Sequence, residues 1–135
     1  RSAAQRDARD YVRKQGGAVH TARSLRGLES PVQLAPLIDD LSNRLSRHGQ
    51  PPLYISLDID CLDPAFAPGT GTPETGGLST NQVLSLLEAA STLACVGMDC
   101  VEVAPPYDHA ELTSCAAATF VWTYLAGRMA AARSR

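Results

Sequence analysis

Apolar and polar residues recur along this chain at two spacings, one typical of helices and the other typical of strands. After Pro31, apolar side chains three or four residues apart predict an amphipathic helix. Its apolar face consists of Leu34, Leu37, Ile38, Leu41 and Leu45. We expect the helix to end near Gly49, because the two prolines that follow prevent it from continuing.

Three other segments have helical character. Residues 3–15 predict a charged helix that stops at a pair of glycines. Ser79, with Gln82 three residues later, predicts a capping box at the start of a second helix. Residues 111–132 predict a long, alanine-rich helix at the end of the chain.

Three segments have strand character instead. Residues 18–21 predict a short strand, and residues 53–59 predict a longer one. Residues 94–101 form a continuous apolar run, which predicts a strand buried on both faces apart from Asp99. Because strands alternate with helices, the sequence predicts an α/β fold, with a parallel sheet and flanking helices.

Length, composition and charge exclude several classes of protein. The chain has 135 residues, enough for one modest domain. Hydrophobic residues make up 44% and charged residues 19%, as is ordinary for a soluble globular protein. The formal net charge is −2, so the chain lacks the basic surface that binds nucleic acid or anionic membrane. Since no apolar run approaches the ~20 residues that span a bilayer, we expect neither nucleic acid nor a membrane as partner.

The cysteines add little chemistry. No Cys-x-x-Cys pair is present, so neither a zinc knuckle nor a dithiol redox motif is expected. Cys95 and Cys100 lie in an apolar run and are expected to be small buried side chains. We expect all four cysteines to be reduced and structural, which suits a cytoplasmic protein.

Acidic residues follow two of the predicted strands at the point where each strand ends. Asp58 and Asp60 close one strand, and Glu102 follows the next. In parallel sheets ligands bind at the carboxyl ends of the strands, so we expect a site here. The irregular run of residues 61–78 is rich in Gly, Pro and Thr, and loops of this length are usually functional.

The spacing of Asp58 and Asp60 allows two interpretations. On a strand, side chains at i and i+2 point to the same side, and two such carboxylates are costly to bury unless a cation lies between them. Oxygen ligands of this kind suit hard divalent ions such as Mg²⁺ or Mn²⁺. Alternatively the aspartates cap a helix or a turn, and the residues alone leave both interpretations open.

A longer motif surrounds these aspartates. Residues 56–78 are Ser-Leu-Asp-Ile-Asp-Cys-Leu-Asp-Pro-Ala-Phe-Ala-Pro-Gly-Thr-Gly-Thr-Pro-Glu-Thr-Gly-Gly-Leu, and residues 96–108 are Val-Gly-Met-Asp-Cys-Val-Glu-Val-Ala-Pro-Pro-Tyr-Asp. Both segments resemble the ureohydrolase family of arginases and agmatinases, and the last predicted helix, with Thr113 and residues 116–119, also fits. The resemblance is specific from about Pro52 to the end, whereas the preceding residues fit loosely.

The resemblance implies the C-terminal half of an arginase-like three-layer α/β/α fold. Residues 1–135 would be the C-terminal part of a single ureohydrolase domain whose N-terminal half is absent. It also implies two Mn²⁺ ions held by two histidines and four aspartates, with Asp58 bridging both ions and Asp60 completing one. Glu102 matches the glutamate that receives the substrate guanidinium.

The implied reaction is hydrolysis of a guanidino compound to urea and an amine by a metal-bound hydroxide. Residues 102–108 are more similar to agmatinases than to arginases, which makes agmatine the first choice of substrate. The family's other ligands lie in a Gly-Gly-Asp-His and an Asp-Ala-His-x-Asp segment, and neither occurs here. His20, His48 and His109 match none of them. We therefore expect a fragment that is inactive alone, from a complete protein that forms a trimer or hexamer.

Three alternatives remain open. In the first, the parent enzyme belongs to another branch of the family, such as an arginase, a formimidoylglutamase or a guanidinobutyrase. In the second, the chain is a non-catalytic fragment or degenerate homologue, which the missing histidine ligands favour. A Mg²⁺-dependent phosphatase is disfavoured, because no Gly-rich loop that cradles a phosphate precedes a helix.

Overall fold

The computed structural model describes residues 6–133. Its helices and strands are α1 (Arg6–Lys14), α2 (Ala22–Leu25), α3 (Pro31–Arg47), β1 (Leu53–Asp58), α4 (Thr80–Ser91), β2 (Cys95–Val101) and α5 (Leu112–Arg133). Short 3-10 turns follow both strands, at Ile59–Cys61 and Pro105–Tyr107. The predicted helices are therefore present, and the first three residues of the helix predicted from residue 3 lie outside the described part of the chain.

The strands β1 and β2 lie side by side in a parallel sheet. Their Cα partners run from Tyr54 with Gly97 to Asp58 with Val101, after an irregular start at Leu53. The intervening α4 makes the crossover that two parallel strands need. It contacts both α3 and α5, and α5 also contacts β2. The predicted α/β fold, with a parallel sheet and flanking helices, is confirmed.

Capping boxes define where three of the helices begin. At α4 the Ser79 side chain accepts from the N–H of Gln82, and the Gln82 side chain accepts from the N–H of Ser79, as the sequence predicted. The buried Gln82 amide also donates to the carbonyl oxygens of Leu25, at 2.8 Å, and Leu28, at 3.0 Å. One glutamine thus starts a helix and holds the chain after α2 against it.

The hydrophobic core lies beneath the loop that follows β1. Its buried members are Ile59, Leu62, Ala67, Val83, Leu87 and Phe120. Half of these side chains come from the turn and loop after β1, and the others come from α4 and α5. Because burial of large apolar side chains stabilises the fold, the loop is held in place by the core as well as by hydrogen bonds.

Two predictions about strands are wrong. Residues 18–21 form no strand; instead Thr21 caps α2 by accepting a hydrogen bond from the N–H of Ser24. Strand propensity depends on pairing, and no described strand lies beside this segment. In addition, β2 is not buried on both faces, since Val96 is 69% exposed. Asp99 is half-buried and accepts hydrogen bonds from the hydroxyls of Tyr54, at 3.0 Å, and Ser56, at 2.7 Å.

None of the helices within residues 6–133 combines the length and apolar character that crossing a membrane requires. All four cysteines are free. Cys95 is buried as predicted, Cys61 and Cys100 are half-buried, and Cys115 is exposed. Cys115 differs from the other three in that its side chain is exposed on α5.

Candidate metal and substrate site

Three carboxylates share the carboxyl edge of the sheet. Asp58 is the last residue of β1, and its partner Val101 is the last residue of β2. Glu102 therefore begins the connection after β2 beside the segment that carries Asp58 and Asp60. The predicted placement of Asp58 and Glu102 at strand ends is confirmed, and ligand sites of parallel sheets lie at this edge.

Asp60 reaches this edge in a different way from the predicted one. The strand ends at Asp58, and the chain turns at once into the 3-10 turn Ile59–Cys61. The Asp58 side chain caps this turn, with 3.1 Å between its Oδ1 and the N–H of Asp60. Ile59 is fully buried and anchors the turn in the core. The expectation that both aspartates lie on one strand is wrong, because the cap ends the strand between them.

The long loop supplies a hydrogen-bond partner to Asp60. The hydroxyl of Thr72 donates to Asp60 Oδ2, so the loop holds one oxygen of that carboxylate. Thr72 was not among the predicted site residues, although it lies within the motif that carries the resemblance.

Asp63 has a structural role in the same loop. Its two carboxylate oxygens accept from the N–H groups of Ala65, at 2.8 Å, and Gly76, at 2.7 Å. These two hydrogen bonds hold the pKa of the Asp63 carboxyl below its usual range. Asp63 thus closes the loop at its base and does not join the carboxylates at the edge.

The electrostatics of the edge favour a cation. Partial burial raises the pKa of Asp58, the N–H of Asp60 opposes this rise, and the negative charges of Asp60 and Glu102 add to it. Burial also raises the pKa of the Cys61 thiol to about 12, reinforced by the charges of Asp58 and Asp60. Within residues 6–133 no salt bridge involves any of these carboxylates. A negative site without a basic partner is suited to a bound cation.

The donors present fit part of a divalent metal site. Carboxylate oxygens suit Mn²⁺ and Mg²⁺. Within the described residues, however, no group of three or more His, Cys, Asp or Glu side chains is arranged to hold an ion. The Thr70 hydroxyl beside the site is also buried without a hydrogen-bond partner in the described part of the chain. Asp58 and Asp60 therefore fit the role of two ligands among several.

The histidines do not join these carboxylates as a ligand set. His48, at the end of α3, and His109, before α5, are both exposed. His20 is exposed too, but it lines a cavity of about 350 Å³ that extends from α1 to Asp60. No local sequence pattern indicates this cavity, since residues far apart in sequence form its lining.

Glu102 adopts an unusual backbone conformation. Its φ angle is +65°, in the left-handed region that costs a residue with a side chain about 1–2 kcal/mol. Both neighbours are fixed: Val101 pairs within the sheet, and Val103 forms an antiparallel bridge with Thr70 of the long loop. Backbone strain of this kind persists only where the surroundings enforce it, and it is concentrated at functional sites.

The motif, the fold and the carboxylate edge agree with a comparison against known families. A model of the arginase family matches residues 1–127. The chain belongs to the arginase family. The match includes the first fifty residues, which the sequence motifs alone related to the family only loosely.

Individual members of the arginase family are similar to this chain over less than half of their own length. An agmatinase of Photorhabdus laumondii is 55% identical over 83 residues, which are 61% of this chain and 27% of the relative. The structure of a proclavaminate amidino hydrolase from Streptomyces clavuligerus is 41% identical with a TM-score of 0.74, covering 98% of this chain and 41% of that protein. A formimidoylglutamase from Bacillus subtilis is 26% identical with a TM-score of 0.79, covering 94% and 39%. This arginase-family chain thus shares its fold with complete enzymes of more than twice its length.

Proposed function

We propose that this chain forms part of a metal-dependent ureohydrolase that hydrolyses a guanidino compound to urea and an amine. The observation that carries the proposal is the carboxylate edge, where Asp58, Asp60 and Glu102 converge without a basic partner in the described residues. A planar guanidinium and a divalent cation are the two positive groups that such an edge accommodates. The family match supports both.

Asp58 and Asp60 are proposed as ligands of two Mn²⁺ ions. When bound, such ions lower the pKa of a coordinated water and so make hydroxide available near neutral pH. The hydrogen bond from Thr72 orients Asp60, and the cap to the N–H of Asp60 orients Asp58. These contacts hold both side chains in place before any ligand arrives, which lowers the cost of binding.

Glu102 is proposed to receive the substrate guanidinium. A carboxylate and a guanidinium form charge-assisted hydrogen bonds, which are often bidentate. The exposed Glu102 side chain has no hydrogen bond or ion pair within the described residues, so both oxygens are available to a substrate. Fixed in this way, the substrate presents its central carbon to the hydrolytic site.

Agmatine is the proposed substrate. It is supported by the relative named agmatinase at 55% identity and by the agmatinase-like residues 102–108. Two other relatives are named as a proclavaminate amidino hydrolase and a formimidoylglutamase. Related amidines are therefore further candidate substrates. The test is product release by the complete protein from agmatine, arginine, guanidinobutyrate, guanidinopropionate and formimidoylglutamate. We expect the highest kcat/KM with agmatine, and a preference for any other compound would reassign the substrate.

The domain organisation is likewise a proposal. The chain spans 27% of the length of its Photorhabdus relative and 41% of the Streptomyces one. We infer that it is the C-terminal part of a single ureohydrolase domain, and that the remaining metal ligands come from a preceding part. We further propose a cytoplasmic homo-oligomer, a trimer or hexamer, which light scattering of the complete protein would test.

One observation favours a second candidate, a non-catalytic homologue. Within residues 6–133 no group of three or more metal-ligating side chains is present. The two candidates differ in the segment that precedes residue 1. If that segment carries an Asp-Ala-His-x-Asp sequence and the complete protein releases urea, the enzyme is supported; a complete protein that neither binds Mn²⁺ nor releases urea is the non-catalytic homologue.

A further inference from the structure

Gly69 lies where the long loop after β1 crosses the segment that follows β2. A Cβ atom at this position would lie 2.6 Å from the Cβ of Asp108, so only glycine permits the close approach. The N–H of Gly69 donates a 2.7 Å hydrogen bond to the hydroxyl of Thr113, and its carbonyl oxygen accepts from the N–H of Ala104 at 2.8 Å. The N–H of Gly69 thus joins the loop to the start of α5, and its carbonyl group joins the loop to the segment after β2.

Thr113 is itself held rigidly. It is fully buried in the first turn of α5, and its N–H donates to Asp108 Oδ1 at 2.9 Å. Ser114 donates to Asp108 Oδ2 from both its N–H and its hydroxyl, each at 2.8 Å. Asp108 therefore caps α5 and holds the backbone of Thr113 in place, with the Thr113 hydroxyl beside Gly69.

Two branches lead from this crossing to the carboxylate edge. Thr70, next to Gly69, bridges to Val103 beside the strained Glu102. Two residues further along the same loop, Thr72 donates to Asp60. The hydrogen bond between Gly69 and Thr113 is thus the common anchor of the segments that carry the two kinds of carboxylate.

We propose that Thr113 is a positioning residue of the site, whose hydroxyl sets the position of Asp60 relative to Glu102. This role rests on the proposed function for its catalytic consequence. The anchor itself depends only on the hydrogen bond from Gly69. Without the hydroxyl, the buried N–H of Gly69 loses its acceptor, and a buried donor left without a partner is strongly unfavourable. The loop then opens more often, so Asp60 and Glu102 are held less firmly relative to each other.

Hydrogen exchange in the complete protein tests the anchor without reference to activity. Thr113→Val keeps the shape of the side chain and removes its hydroxyl, so the protection of the Gly69 amide should fall at least about tenfold. Thr113→Ser restores the hydroxyl and should restore protection. Thr119→Val is the matched control, because that hydroxyl on the same helix bonds only to the carbonyl oxygen of Cys115. Equal protection in Thr113→Val and wild type would overturn the anchor.

The positioning role is tested on the same variants. We expect weaker Mn²⁺ binding and a higher KM for the guanidino substrate in Thr113→Val, both by about tenfold, with rescue by Thr113→Ser and no change in Thr119→Val. Loss of protection with unchanged Mn²⁺ affinity and KM would show that Thr113 supports only the fold. If the wild-type protein released no urea at all, the proposed function would fail, and Mn²⁺ affinity would still decide the positioning role.

Should Thr113→Val fail to fold, Asp108→Asn provides the second test. It leaves the hydroxyl of Thr113 in place but removes one of the carboxylate oxygens that hold the start of α5. Protection of the Gly69 amide should fall in the same direction, by less than in Thr113→Val. Unchanged hydrogen-exchange protection of the Gly69 amide in Asp108→Asn would contradict the anchor.

Discussion

Asp58 and Val101 are opposite each other at the last paired position of the two parallel strands. This pairing places Glu102, the residue after Val101, beside the turn that carries Asp60. A one-residue change of register would move every side chain of a strand to its other face. The relation between the candidate metal ligands and the candidate guanidinium acceptor is therefore set by backbone hydrogen bonds of the sheet.

The first prediction concerns metal binding by Asp58 and Asp60. In the complete protein, Asp58→Ala or Asp60→Ala should lose Mn²⁺ and urea release together, since each removes one of the carboxylates proposed as metal ligands. Metal content and kcat are measured on one preparation. Asp39→Ala, on the exposed side of α3, is the control and should keep both. Full Mn²⁺ occupancy in Asp58→Ala would remove Asp58 from the ligand set.

The second prediction concerns residues 1–135 expressed alone. The two aspartates are too few to hold a two-ion cluster, so we expect weak Mn²⁺ binding and negligible urea release compared with the complete protein. Both outer edges of the sheet are unpaired within the described residues, and Trp122 on α5 is 72% exposed, which favours aggregation. Calorimetric titration and a urea assay check this. Urea release at the rate of the complete protein would contradict it.

The third prediction separates substrate binding from metal binding at Glu102. Glu102→Gln keeps the size of the side chain and removes its charge. It also leaves a residue with a side chain in the left-handed backbone region. A charge-assisted hydrogen bond contributes about 1.5–3 kcal/mol, and about 1.4 kcal/mol is one decade, so kcat/KM should fall at least about tenfold. Mn²⁺ content should stay near that of the wild type.

The control for Glu102→Gln is Glu88→Gln, which removes the same charge from an exposed position on α4. It should leave kcat/KM unchanged. If Glu102→Gln loses metal along with activity, Glu102 is a ligand or a structural support. If neither changes, the guanidinium is held elsewhere.

The fourth prediction concerns stability through Gln82. Gln82→Ala removes the capping box of α4 and the bonds to Leu25, the last residue of α2, and to Leu28. The carbonyl oxygen of Leu28 then loses the donor that Gln82 supplies, whereas that of Leu25 keeps the N–H of Leu28. The free energy of unfolding should fall by about 1–3 kcal/mol. Gln33→Ala removes an equivalent capping box from an exposed site on α3 and should cost about 1 kcal/mol or less. Urea denaturation compares the two, and equal losses would show that the interior bonds of Gln82 add nothing.

The fifth prediction concerns acid stability. Partial burial raises the pKa of Asp108, but the hydrogen bonds from Thr113 and Ser114 lower it more, so the folded value lies below the usual range. Asp108 therefore stabilises the fold above the ordinary carboxyl pKa, and this contribution is lost as the pH falls toward the folded pKa. Asp108→Asn should be less stable at neutral pH and show a shallower loss of stability on acidification. Parallel slopes for the two proteins would contradict this.

The sequence by itself determined most of the secondary structure and the position of Asp58, Asp60 and Glu102 at one edge of the sheet. Helical spacing after Pro31, the capping box of Ser79 and Gln82, and the apolar runs before Asp58 and Glu102 are local patterns, and each was found where it was predicted. Local patterns succeed here because capping and periodic burial act within a few residues along the chain. The parallel arrangement then followed from the alternation of strands and helices.

Only the tertiary structure decided how the site is held together. The bond from Thr72 to Asp60 and the bond from Gly69 to Thr113 join segments about a dozen to more than forty residues apart. No local spacing encodes such contacts. The strand expected at residues 18–21 failed for the same reason, because an extended segment becomes a strand only when a neighbour pairs with its backbone. The residue types at the site follow from sequence, but their geometry follows from packing between distant segments.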